Sequence, residues 1–444
     1  LDQSGYALVL SGGGTRGIYH IGVWKALREL GIKIDAVIGN SVGALVAGFV
    51  AQGDFKAAEK ALEDIDIRRF IDIPETLIKD GQFIINRKTL KKLDGLRESV
   101  IKHKGFDTTP LKDFLDRYLD EEKIRKRGMD IGIITFNLNE LKPIEIFLEQ
   151  MEEGLLLDYL LASATFPGFK TTKIKKNHFI DGGVYNNIPY SMAKERGYRK
   201  IIVIDISGIG LAKKPDITCT QTVYIRNSIQ LGGIFDFSKE FLSRFKLLGY
   251  LDTLKTFGKV NGIRYFFDDD HRLCETLESH LKTNKNIINY IDKAAGVRDH
   301  NKTYPVHSRI RMLLPKEYRH YRQIIHSLAE CAALGLNLER IKHRCFREFV
   351  DEIKQKYMET EKEIKELKER FQKKDLRRLA GEIIDFAKNT NIDTFFNASA
   401  YKYDRILEEI LRPLGGKVPF SSLSVFFPFL RGARLFFKLI QAER

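Results

Sequence analysis

Short unbroken apolar runs alternate with helical periodicities through the first half of the chain. Tyr6–Leu10 reads as a buried strand, cut off by glycines that open a helix with apolar positions at Ile21, Val23 and Leu27. Ala36–Ile38 reads as a second strand and leads into the apolar helix Ala44–Ala51. Further strands are expected over Asp130–Phe136, Lys173–Ile180, Lys200–Ile206 and Gln221–Ile225. Continuous apolar strands alternating with helices predict an α/β fold, a mostly parallel sheet covered on both faces.

Beyond about Gly258 the strand pattern fades. One short run, Ile263–Phe267, precedes helical patterns that continue to the end, which divides the chain into residues 1–258 and a mainly helical region, 259–444. Between Phe349 and Leu379 the apolar residues Ile353, Tyr357, Ile364, Leu367 and Phe371 recur at helical spacing, as in half of a helical hairpin. Glu361 with Lys365, and Glu366 with Arg370, are spaced to pair on its exposed face. The stretch Phe420–Phe437 is rich in Phe and interrupted by Pro428, Arg431 and Arg434. It reads either as an interfacial membrane anchor or as a tail facing the core or another subunit.

Composition narrows the class. With 444 residues, the chain has room for a catalytic domain and a second unit. Hydrophobic residues make up 43% and charged residues 30%, which excludes disorder on a large scale. A formal charge of +15 suits nucleic acid or an anionic bilayer. Zinc-finger spacing, RNA-binding signatures and bZIP-like basic regions are missing, so no nucleic-acid partner is expected. Cys219, Cys274, Cys331 and Cys345 form no CxxC pair, which suggests neither disulfides nor a zinc site and fits the reducing cytoplasm. The N-terminus runs directly into a strand without a signal-peptide pattern, and no apolar run reaches the roughly 18–20 residues of a membrane span.

Three glycine-flanked signals carry chemistry. Gly39-Asn40-Ser41-Val42-Gly43 stands between a strand and a helix, where a GxSxG turn bends sharply and lifts the serine hydroxyl above the sheet. Gly12-Gly13-Gly14-Thr15-Arg16-Gly17 exposes backbone N–H groups that can converge on a developing oxyanion, with Arg16 adding positive charge. Asp181-Gly182-Gly183 puts a carboxylate at the end of a strand, with Asn187 and Pro189 beyond. Together they supply a nucleophile, an oxyanion site and a base, the set that acyl transfer needs.

Rival readings exist for each signal. The glycine run lacks the lysine-serine or lysine-threonine ending of a Walker loop, yet it satisfies GxGxxG, with Asp35 at nearly the distance a dinucleotide site requires. A dinucleotide-binding protein therefore stays open, as does a catalytically quiet scaffold. For a Ser-His-Asp triad, His178 lies three residues before Asp181 on the opposite strand face, and His20 sits within the first helix.

The ordered set GGGTRG, GNSVG, Ser163-Ala-Thr-Phe-Pro-Gly168 with Phe169, and DGG with Asn187 and Pro189 resembles the patatin-like phospholipase family, over roughly Gly5–Ser207. The stretches Gly105–Leu111 and Gly249–Lys255 also resemble segments of bacterial members. Asn40 stands where the family often has threonine, and Thr15 occupies a variable site; neither departure removes a catalytic atom.

The resemblance implies a three-layer αβα fold and hydrolysis of carboxylic esters of phospholipids or lysophospholipids. The implied machinery is a Ser41–Asp181 dyad, an acyl-enzyme, an oxyanion hole at Gly12, Gly13, Gly14 and Arg16, elbow glycines Gly39 and Gly43, and supporting Gly182 and Gly183. It calls for neither a cofactor nor a metal. A neutral-lipid or general carboxylesterase with the same dyad is the alternative within this class. Expected partners are an acyl-lipid substrate and a peripheral membrane surface, met at its cytoplasmic face through Lys170, Lys173, Lys175 and Lys176; a homo-oligomer is compatible with the helical region.

Overall fold

The computed structural model describes residues 4–63, 78–79, 82–83, 109–165, 169–208, 210–230, 232–233, 236–296, 305–319, 323–370, 400–411 and 429–442. Contacts divide the chain into two compact units, Leu1–Phe257 and Gly258–Arg444.

In the first unit the strands are β1 (Tyr6–Leu10), β2 (Ile34–Asn40), a small pair β3 (Ile78–Lys79) and β4 (Gln82–Phe83), then β5 (Asp130–Asn137) and β6 (Lys142–Phe147). They continue with β7 (Thr172–Ile174), β8 (Asn177–Asp181), β9 (Lys200–Asp205) and β10 (Gln221–Arg226). The main sheet runs in the order β10-β9-β1-β2-β5-β8-β7, with β6 also paired to β5. Strands β10, β9, β1, β2 and β5 are mutually parallel, while β6, β7 and β8 add antiparallel pairs at one side.

Ala7–Leu10 and Ile201–Ile204 are fully buried, as parallel strands covered on both faces must be. One face packs Ala7, Val9, Ile38 and Val203 against Tyr190 and Met192 of the helix Tyr190–Glu195. The connections from β1 and β2 are the helices α1 (Ile18–Glu29) and α2 (Val42–Gln52).

The expected strand Lys173–Ile180 is instead a hairpin, β7 and β8. Lys175 takes a left-handed φ of 55° at the turn, a conformation that lysine does not advertise in a sequence. β6 is a further strand that the apolar pattern missed, because its residues are only half-buried or exposed.

Strand β5 explains how the two ends of the candidate site meet. One of its edges is lined by β6 from Gly132 to Asn137. The other is shared: β2 pairs with Asp130–Ile134 in parallel, and β8 takes over antiparallel at Thr135–Asn137. Asn40 is opposite Ile134 and Asp181 is opposite Thr135, so β2 and β8 run towards each other and stop one residue apart along the same strand.

The second unit is helical, apart from the short parallel pair β11 (Phe266–Asp268) and β12 (His343–Cys345). Its core is the helix Ile324–Gly335, buried along its whole length and packed against Phe429–Gln441. Glu330, 1% exposed, accepts hydrogen bonds from the amides of Ile263, Arg264 and Tyr265, which satisfies both the buried carboxylate and the loop before β11.

Phe429, Leu430, Phe436 and Phe437 are buried in this core. The tail reading that faces the core therefore holds for residues 429–437, and a membrane anchor does not, while Phe420–Pro428 lies outside the described residues. The long amphipathic helix is described over Phe346–Arg370, and its expected continuation through Phe371 to Leu379 also lies outside them. Glu361 pairs with Arg405 and accepts from the Tyr401 hydroxyl of the helix Ala400–Leu411, rather than pairing with Lys365. A carboxylate against two donors of a packed helix outcompetes an exposed i,i+4 contact.

Candidate active site

Ser41 sits between the end of β2 and the start of α2 with φ 56° and ψ −130°, a backbone strained for any residue with a Cβ. The turn is possible because both flanking positions are glycine. A Cβ at Gly39 would lie 2.3 Å from the Gly43 carbonyl oxygen, and one at Gly43 would lie 2.5 Å from that of Leu10. The first turn of α2 starts at Val42, so the serine side chain stands at the positive end of an eleven-residue helix.

Asp181 ends β8 and is 5% exposed. Its Oδ1 accepts from the Gly183 amide at 2.7 Å and from Asn40 Nδ2 at 3.3 Å. Burial raises its pKa above the ordinary aspartate value, while the hydrogen bonds from Gly183 and Asn40 and the nearby Ser41 side chain favour the ionised form and oppose that rise. Gly182 is equally confined, since a Cβ there would meet the Ile134 carbonyl oxygen at 2.6 Å.

Ser163 and Thr165 hold the two partners in place. Ser163 Oγ donates to the Ile134 carbonyl at 2.7 Å and accepts the Ser41 amide at 2.9 Å. The Thr165 carbonyl accepts the Asp181 amide at 2.8 Å. Phe166–Gly168, the rest of that motif, lies outside the described residues, as does most of Gly105–Leu111. Asn40, fully buried, also donates to Asn187 Oδ1 at 3.0 Å. Sequence reasoning noted Asn40, Asn187 and Ser163 only as motif letters; their buried bracing role appears only with the fold.

The residues of the expected oxyanion group differ in what their donors meet. The Gly12 amide donates to Asn187 Oδ1 at 3.1 Å and lies 3.3 Å from the Asn187 carbonyl oxygen, so it is committed inside the protein. The Arg16 guanidinium donates to the carbonyls of Ser207 and Gly232, each at 2.9 Å, and its amide donates to Gly13. Arg16 is thus a strut for neighbouring loops. Among the described residues, no hydrogen bond takes up the Gly13 or Gly14 N–H, and Gly14 has the left-handed φ of 59° that turns the chain there.

The rival readings lose their geometry. Asp35 is the second residue of β2, near Tyr6 in register and at the far end of the strand from the glycine turn, and its carboxylate accepts the Gly5 amide at 2.7 Å. A dinucleotide site needs its acidic residue at the same end as the glycines. His178 is exposed, with Nδ1 2.9 Å from the Thr171 hydroxyl. His20 is buried in α1, where burial lowers its pKa to about 3 and neither ring nitrogen has a hydrogen-bond partner among the described residues.

The family described as patatin-like phospholipase matches residues 8–194, which take in the Ser41 elbow and Asp181. The chain carries a patatin-like phospholipase domain over that stretch. The lysophospholipase NTE1 of Cryptococcus neoformans is 30% identical over 207 residues, 46% of this chain and 11% of that protein. Patatin-like phospholipase domain-containing protein 7 of Rattus norvegicus is 28% identical over 224 residues, 49% of this chain and 14% of that protein. The match thus spans a small part of these relatives. Among solved structures, VipD from Legionella pneumophila gives a TM-score of 0.35 at 15% identity, covering 69% of this chain and 82% of that chain.

Proposed function

We propose that this chain hydrolyses carboxylic ester bonds of phospholipids or lysophospholipids through Ser41 and Asp181. The observation that carries the reading is the strained Ser41 elbow, directly after Asn40, whose side chain donates to the buried, braced Asp181 carboxylate where β2 and β8 stop one residue apart on β5. In the forward step Asp181 accepts the Ser41 proton as Oγ attacks the ester carbonyl. The Gly13 and Gly14 amides, which no hydrogen bond takes up among the described residues, receive the negative charge; one such donor is worth about 3–4 kcal/mol of barrier. The leaving alcohol takes the proton from Asp181, and the same carboxylate then activates water against the acyl-serine.

A lipid substrate is favoured over a small soluble ester by the rim of the site. Leu211 is 64% exposed, yet its backbone bonds to Gly183 and Asn187 fix it next to Asp181; Val184 is exposed alongside. Lys173, Lys175 and Lys176 are exposed on the β7–β8 hairpin that delivers Asp181, with Lys175 paired to Glu152. A basic surface with apolar residues at its opening suits an anionic bilayer. No helix among the described residues is long and apolar enough to cross a membrane. The experiment is fatty-acid release from lysophosphatidylcholine micelles and from mixed phospholipid vesicles. Release by the intact chain and none by Ser41→Ala supports the reading; equal release by both defeats it.

A further inference from the structure

The helical unit brings together three side chains that no glycine motif or cysteine pair announces. Asp269 follows β11, Cys274 lies in the first turn of the helix His271–Thr283, and His326 lies in the buried helix Ile324–Gly335. Cys274 Sγ is 3.3 Å from His326 Nε2 and 3.6 Å from Asp269 Oδ1, and Nε2 is 3.1 Å from the same Oδ1. We propose that Asp269, Cys274 and His326 form a binding site for a zinc-type divalent cation.

The triangle has the size of one face of a tetrahedral zinc shell. Bonds of about 2.3 Å to sulfur and about 2.0–2.1 Å to nitrogen and oxygen put neighbouring donor atoms about 3.3–3.6 Å apart. A hydrogen-bonded Cys-His-Asp relay would use the two ring nitrogens separately, one for the thiol and one for the carboxylate. Here both partners meet the same Nε2, which serves as donor or acceptor to one of them at a time; a single cation satisfies all three contacts at once.

The surroundings fit a ligand set held ready. Gln323 Nε2 donates to Asp269 Oδ2 at 3.0 Å and so orients the carboxylate. The rings of Phe267 and Phe346, at 4.8 and 4.5 Å from the imidazole, fix its plane, and His326 is fully buried. His271, largely exposed, places Nδ1 3.4 Å from Asp269 Oδ2, on the side of the carboxylate away from the triangle's shared Oδ1. Thiolate plus imidazole selects zinc over magnesium or calcium. On binding, the Cys274 thiol releases one proton to solvent, while the carboxylate and the neutral imidazole release none. The cation ties the start of one helix to the central helix of the unit.

The test uses the full chain, stripped with a chelator and dialysed, then titrated with Zn²⁺ against a chromophoric competitor and, separately, with Co²⁺. The expected result is one equivalent per chain and a thiolate-to-cobalt charge-transfer band. Binding should be at least about tenfold weaker in Cys274→Ser and Asp269→Asn, and about tenfold weaker in Gln323→Leu. Failure to bind Zn²⁺ at micromolar concentration, or equal binding by both ligand variants, overturns the site. If those variants do not fold, alkylation of Cys274 in the unmodified chain decides: protection by Zn²⁺ supports the site, and equal labelling with and without it refutes it. Metal content is read directly, so either outcome leaves the Ser41–Asp181 reading untouched.

Discussion

Asn40 donates its side-chain amide to the Asp181 carboxylate across 3.3 Å, although 141 residues separate the two. The contact follows from register: they pair with consecutive residues of β5, Ile134 and Thr135. Two strands that converge end to end thus bring the elbow and the carboxylate together, with no histidine between them.

On the proposed mechanism, Asp181 should set the acid limit of activity. Burial raises its pKa above the ordinary carboxylate value, so kcat/KM should fall as pH drops through a point above about 3.9. Asn40 bonds to the ionised form, and Asn40→Ala should move that acid limb to higher pH. An unchanged limb in the pH profile would deny Asn40 this role.

Stability should run against activity at this position. With the folded pKa above the unfolded one, the folded state holds its proton longer, and that advantage is lost as pH rises through the folded pKa. At neutral pH the fold carries the cost of a buried charge. Asp181→Asn should therefore melt no lower than the parent at pH 7, with activity reduced by at least about 10³-fold. Thermal melts at pH 4 and pH 7 check the sign, since the gain should shrink at the lower pH.

Gly12 is tightly confined beside the nucleophile. A Cβ there would lie 2.5 Å from Asn187 Oδ1 and 2.8 Å from Ser41 Cβ. Gly12→Ala should displace the nucleophile and reduce kcat about 100-fold while far-UV circular dichroism stays unchanged.

Leu211 should separate lipid from soluble substrate. Leu211→Asp should raise KM for lysolipid micelles several-fold and leave hydrolysis of a short, soluble p-nitrophenyl ester within about twofold, because an exposed apolar side chain acts on the interface and not on the chemistry. Parallel loss on both substrates would place Leu211 in the catalytic machinery instead.

Much of this was legible in the sequence, and the gaps have physical causes. Ser41 and Asp181 announce themselves because a sharp turn requires glycine beside it, and glycines are visible in one dimension. The hairpin at Lys175 was invisible because its left-handed turn is made by lysine and held by strand pairing. The commitment of the Gly12 amide depends on Asn187, 175 residues away, and the Arg16 strut on carbonyls 191 and 216 residues away. Polar contacts of that kind exist only once the fold has formed. The Asp269, Cys274 and His326 cluster escaped for the same reason, since its cysteine and histidine stand 52 residues apart.

Covalent capture of the nucleophile tests the central claim most directly. A fluorophosphonate probe should form one adduct on the intact chain, mapped by mass spectrometry to the peptide carrying Ser41, with labelling abolished in Ser41→Ala and slowed at least about 10³-fold in Asp181→Asn. An adduct on another serine, or labelling of Ser41 at the parent rate in Asp181→Asn, would contradict the dyad.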